Sequence, residues 1–115
     1  MPNIHKKVLS AVTTGTSEVI DTRGYWPVSM SVIFAPSTSA GVVTFEASPS
    51  ATFSGTWKSI GVATWAAANS CLTVSMGQDA FRYVRARIST NIVGATVDVW
   101  ITGAGYGFEG WTESP

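Results

Sequence analysis

Phe81-Arg82-Tyr83-Val84-Arg85-Ala86-Arg87-Ile88-Ser89 alternates between two sets of side chains. Successive residues of a strand point to opposite faces of a sheet. Arg82, Val84, Ala86 and Ile88 therefore share one face, and Phe81, Tyr83, Arg85 and Arg87 share the other. The same period of two recurs on either side of this stretch. Within 28–35, Val28, Met30, Val32 and Phe34 oppose Ser29 and Ser31; within 42–48, Val43, Phe45 and Ala47 oppose Thr44, Glu46 and Ser48. Within 96–102, Val97, Val99 and Ile101 oppose Thr96, Asp98, Trp100 and Thr102. One dry and one wet face per strand is what two antiparallel sheets packed face to face require.

Eight strands are predicted, over 8–13, 18–22, 28–35, 42–48, 57–63, 70–76, 81–89 and 96–102. Each is rich in Val, Ile, Thr or aromatic residues and is bounded by Gly, Pro, Asn, Asp or Ser. Their regular spacing predicts an all-β, antiparallel two-sheet sandwich, jelly-roll-like, of about eight strands. The longest connection, 49–56, is small and polar and reads as a surface loop, while Trp57 opens a strand as a core residue. Residues 63–69 are alanine-rich and are the one place where a helical turn is favoured. Residues 1–7 are charged and lack alternation, so they read as an N-terminal arm before a sandwich domain over 8–102. Residues 103–115 carry four glycines in their first eight positions and read as a C-terminal arm. Tyr106, Phe108 and Trp111, spaced along it, need an apolar surface to dock on.

A chain of 115 residues fits one domain. Charged residues make up 12 % of it, about half the usual share, and 14 Ser and 14 Thr fill the gap. A surface of hydroxyls in place of charges is poorly repelled from other surfaces and suits assembly, so a homo-oligomer is predicted. The net charge of zero argues against nucleic acid as a partner, which demands an excess of Lys and Arg facing phosphate. No window holds the roughly 20 apolar residues of a membrane helix, and no signal peptide is evident. One cysteine forms no internal disulfide, and Cys71 reads as a buried thiol of a protein made in a reducing cytoplasm.

The chemistry-bearing residues argue against an enzyme. His5 is the only histidine and stands in the predicted arm, where a general base cannot be held in place. Cys71 has no histidine near it in a predicted strand. Of the carboxylates, Glu46 and Asp98 form the only pair on well-patterned strands that a glycosidase could use, and solubility explains both equally. No metal-ligand spacing, phosphate loop or dinucleotide fingerprint is present, so neither a metal nor a cofactor is expected. What remains are binding residues. Arg85 and Arg87, beside Phe81 and Tyr83 on one face, could stack bases or sugars; they could equally pair with Asp98 and Glu46 on neighbouring strands or reach a carboxylate on a partner subunit, and the sequence does not separate these. Trp26, before Pro27, and Trp65, in the alanine-rich stretch, lie outside strand interiors, where aromatic rings serve as contact residues.

Gly41-Val42-Val43-Thr44-Phe45-Glu46-Ala47-Ser48, Trp57, Phe81-Arg82-Tyr83-Val84-Arg85-Ala86-Arg87-Ile88 and Val97-Asp98-Val99-Trp100-Ile101 occur in that order. Over residues 28–102 this succession resembles small β-sandwich virion proteins of tailed bacteriophages. The length and the aromatic C-terminal arm look most like jelly-roll capsid cement, or decoration, proteins. The resemblance implies a homotrimer on the outer capsid surface that binds the major capsid protein. Discoidin-like sugar-binding domains carry a similar Tyr-Val-Arg strand. A carbohydrate- or receptor-binding module, and a tail or neck subunit of a phage, are therefore the alternatives.

Overall fold

In the computed structural model, which describes residues 3–67, 70–75 and 82–105, the arginine-bearing stretch lies in a strand, β7 (Tyr83–Val93). It is preceded by β1 (Ile4–Val12), β2 (Ile20–Asp21), β3 (Tyr25–Phe34), β4 (Ala40–Ser48), β5 (Lys58–Thr64) and β6 (Cys71–Ser75), and followed by β8 (Val97–Gly105). Each named strand overlaps one of those expected from alternation. The described residues contain no helix, and Ala63 and Thr64 of the alanine-rich stretch close β5 as strand residues.

The strands form two antiparallel sheets, in the orders β1-β8-β3-β6 and β2-β7-β4-β5. Four of the pairs are nested: β1 with β8, β2 with β7, β3 with β6 and β4 with β5. Two further pairs, β3 with β8 and β4 with β7, join the nested pairs into sheets. This is one long hairpin rolled across two layers, the strand order of a jelly roll.

The core lies between the layers and follows the alternation. Val28, Met30, Val32 and Phe34 of β3 and Val97, Val99 and Ile101 of β8 face Val43, Phe45 and Ala47 of β4 and Val84, Ala86 and Ile88 of β7. All are buried, and each large aliphatic or aromatic side chain among them contributes roughly 1.5–3 kcal/mol by leaving water. Alternation also decides β6, where Leu72 and Val74 pack on the core. Cys71 therefore lies on the opposite face with Thr73 and Ser75, and its thiol is exposed where a buried one was expected.

Two boundaries differ from the sequence reading. The expected N-terminal arm over 1–7 is strand from Ile4 onward, with Ile4, His5, Lys6 and Lys7 in register with Gly103, Thr102, Ile101 and Trp100. The His-Lys-Lys run lacks apolar alternation because β1 is an edge strand, where charged side chains cost little and discourage further pairing. The expected C-terminal arm likewise begins later, since β8 continues through Gly105 by pairing with β1 and β3. The rest of that arm lies outside the described residues. Further along β1 the register shifts twice, between Lys7 and Leu9 and between Leu9 and Val12. There Ala11 takes a left-handed conformation (φ 50°), and its N–H donates to Asp98 Oδ1 at 2.7 Å.

Candidate functional site

The outer face of each sheet holds one organised group of side chains. On the β2-β7-β4-β5 sheet the group centres on Glu46. β4 is buried on both of its faces from Val43 to Ser48, because Thr44, Glu46 and Ser48 are covered as well as the core-facing set. Glu46 stands opposite Arg85 in the β4–β7 register, with Arg87 two residues along the same face. Arg85 Nε donates to Glu46 Oε1 at 3.0 Å, and Arg87 Nε donates to Glu46 Oε2 at 2.8 Å. The carboxylate is only 3 % exposed, while the arginine side chains are 22 % and 41 % exposed. A buried carboxylate needs such partners, because removing it from water without them costs several kcal/mol.

Trp57 completes this group. The loop between β4 and β5 brings its ring to 4.2 Å from the Arg85 guanidinium carbon, and its indole N–H donates to the Phe53 carbonyl at 2.9 Å. Trp57 is buried as expected, but against the arginine on the outer face and not within the inter-sheet cluster. The apolar edge of the same face is Val62, 54 % exposed, which pairs across the sheet with Thr44, itself paired with Arg87.

The outer face of the β1-β8-β3-β6 sheet is an ordered grid. One row runs Ser75, Ser29, Thr102, His5; the next runs Thr73, Ser31, Trp100, Lys7; the third runs Cys71, Ile33, Asp98. Five hydroxyls thus share this face with one indole. The Lys7 ammonium lies 5.2 Å from the Trp100 ring centroid and 3.4 Å from Asp98 Oδ1. The His5 ring stacks beside Trp100 at 6.3 Å and shares a 2.8 Å hydrogen bond between Nδ1 and Thr102 Oγ1. Lys7 and Asp98 cancel, so the face is close to neutral and rich in groups that both donate and accept hydrogen bonds.

These placements decide the sequence-level candidates. Arg85 and Arg87 come together on Glu46. Asp98 is on the other sheet and pairs with Lys7, so it takes no part in their ion pairing. Glu46 and Asp98 stand on the outward faces of two sheets that are packed roughly 10 Å apart, which rules out a shared carboxylate pair. His5 and Cys71 lie on one face but three strands apart, roughly 14 Å, too far for a nucleophile and its base. Trp65 packs partly against the core, and its backbone N–H donates to the Gly41 carbonyl at 2.9 Å. Trp26 falls in β3 at the level of the backbone. Tyr106, Phe108 and Trp111 lie outside the described residues. Among the described residues no three His, Cys, Asp or Glu side chains gather as metal ligands would.

His5, Lys7 and Trp100 are not legible as one group in the sequence, because the first two stand in a charged stretch without alternation. The signal available was Asp98-Val99-Trp100-Ile101-Thr102, whose outward residues need neighbours on both sides. Comparison with family models, with curated proteins and with solved structures gives no match.

Proposed function

We propose that this chain is a non-enzymatic structural protein of a tailed-phage virion, which binds the major capsid protein on the outer surface as a cement, or decoration, protein. The observation that carries this reading is the outer face of the β1-β8-β3-β6 sheet. It is broad, nearly uncharged and lined by Ser29, Ser31, Thr73, Ser75 and Thr102 around Trp100. Such a face has almost no net charge to desolvate, and its hydroxyls can both donate to and accept from the polar groups of a partner that covers it. The jelly-roll strand order agrees with the resemblance in residues 28–102, since viral capsid proteins use it, although lectins do too. In this reading the chain acts as a homotrimer. Three copies engage neighbouring capsid subunits together, so that each weak contact is reinforced by high effective concentration.

The test is co-sedimentation of the purified protein with phage shells that lack it. Ser31→Arg, which puts a bulky charge beside Trp100, is expected to abolish binding while leaving the fold intact. Binding that survives Ser31→Arg and Trp100→Ala together would refute the assigned face. A glycan- or receptor-binding face is the second reading, favoured by an indole set among hydroxyls. Lys7 lies over that ring, where a stacked sugar would sit, so a glycan would have to displace it.

A further inference from the structure

We infer that Arg85 and Arg87 form a receptor for a carboxylate on a protein partner, on the face opposite to the one assigned above and independent of the capsid reading. The first ground is a charge surplus. Glu18, Asp21 and Asp98 each pair with one cation, namely Lys6, Arg82 and Lys7. Among the described residues, Glu46 alone holds two. One arginine is enough to compensate a buried carboxylate, and the second leaves the group with net positive charge.

The second ground is geometry. Both arginines are bound to Glu46 through Nε. Among the described residues, neither makes a further hydrogen bond through its terminal nitrogens. A guanidinium fixed at Nε keeps the rest of its planar fork available for the two oxygens of another carboxylate. Arg85 is fixed a second time by the Trp57 ring. The entropy normally lost when a long surface side chain is immobilised has therefore largely been lost in folding. Arg82 is the internal contrast. Its Nε and Nη2 both face the Asp21 carboxylate, so its fork is already occupied.

The third ground is the surroundings. Exposed Val62 lies one strand away across Thr44, and Phe53, 47 % exposed, stands on the loop that carries Trp57. Arginine with aromatic and aliphatic neighbours is the composition of protein–protein contact centres. A nucleic acid would demand several more cations to follow its phosphates, so the partner is an acidic protein surface.

A ten-residue poly-L-glutamate peptide serves as the probe, titrated by calorimetry into the full chain at low ionic strength. Binding is expected, and Arg87→Lys, which keeps the charge but removes the fork, is expected to weaken it roughly tenfold or more. Arg82→Gln is expected to change it less than about twofold. In the wild-type protein, the Nε–H resonances of Arg85 and Arg87 are expected to shift on titration while that of Arg82 stays in place, a readout that depends on no variant folding. Absence of binding, equal binding by Arg87→Lys, or tighter binding of inorganic polyphosphate than of the peptide would each overturn the inference.

Discussion

Gly61 of β5 lies directly against Val74 of β6, so close that a Cβ at position 61 would occupy the space of Val74 Cγ1. These two strands belong to different sheets, and their contact closes one side of the roll. Glycine is required there by the approach of the neighbouring side chain. Gly61→Ala is expected to cost roughly 1–3 kcal/mol in urea unfolding, the range for overpacking. Val74→Ala in the same chain should recover part of that loss, since the two changes share one space. Additive effects would show that the sheets do not meet at this point.

Glu46 provides a second test. Glu46→Ala leaves two guanidiniums without their anion and is expected to cost about 2–4 kcal/mol. This is below the figure for fully enclosed pairs because both arginines can turn to water. Arg87→Ala leaves Glu46 with Arg85 and should cost under about 1 kcal/mol. Arg85→Ala also strips the face of Trp57 and should fall between them. That order, measured by chemical denaturation, is the check.

At the bulge in β1, Ala11→Gly relieves a left-handed residue that carries a Cβ. It is expected to raise stability by up to about 1 kcal/mol. Asp98→Ala removes the acceptor for the Ala11 N–H and the partner of Lys7, and should lower stability by about 0.5–1.5 kcal/mol. Thermal unfolding of the two variants should move in opposite directions.

The Asp21 carboxyl lies below its usual range, chiefly because it accepts hydrogen bonds from the Arg82 side chain, and also because it accepts the Arg23 N–H. A carboxyl lowered by folding stabilises the native state fully above the unfolded aspartate value of about 3.9. That contribution is lost as pH falls through the folded value. Arg82→Gln should therefore raise the Asp21 titration midpoint toward the unfolded value, followed by carboxyl NMR, and flatten the acid limb of the stability profile.

Much of this architecture was legible from side-chain period alone. The inward set of β3, Val28, Met30, Val32 and Phe34, is the one alternation names, because a residue's face is a local property of the strand. Cys71 has an apolar character that favours burial, but its position two residues from Thr73 puts it on the outward face. Ile4 to Lys7 show the opposite case. Their strand is imposed by hydrogen bonds to β8, far away in sequence, and leaves no local trace. Glu46 belonged on the polar face of β4 by alternation and does lie there. Its burial depends on the long loop after β4 that brings Trp57 over Arg85, and on two arginine side chains about forty residues further along the chain. Arg85 and Arg87 could be singled out as a pair, whereas their common anchor could be seen only once β4 and β7 were in register.

β8 lies between β1 and β3, and this has a consequence for how the chain is made. β1 is synthesised before β8, yet it finds its neighbour only when Val97–Gly105 has left the ribosome. Until then β1 and β3 each present an unpaired edge, and half of one sheet has no middle. Closing contacts between distant parts of a chain is slow, because the entropy of the long intervening loop is lost before the contact forms. The β4–β5 hairpin is the part able to assemble early. A chain stalled before residue 97 is thus a poor folder and a ready target for strand exchange with another copy, which makes the emergence of β8 the step that commits this sandwich to its native state.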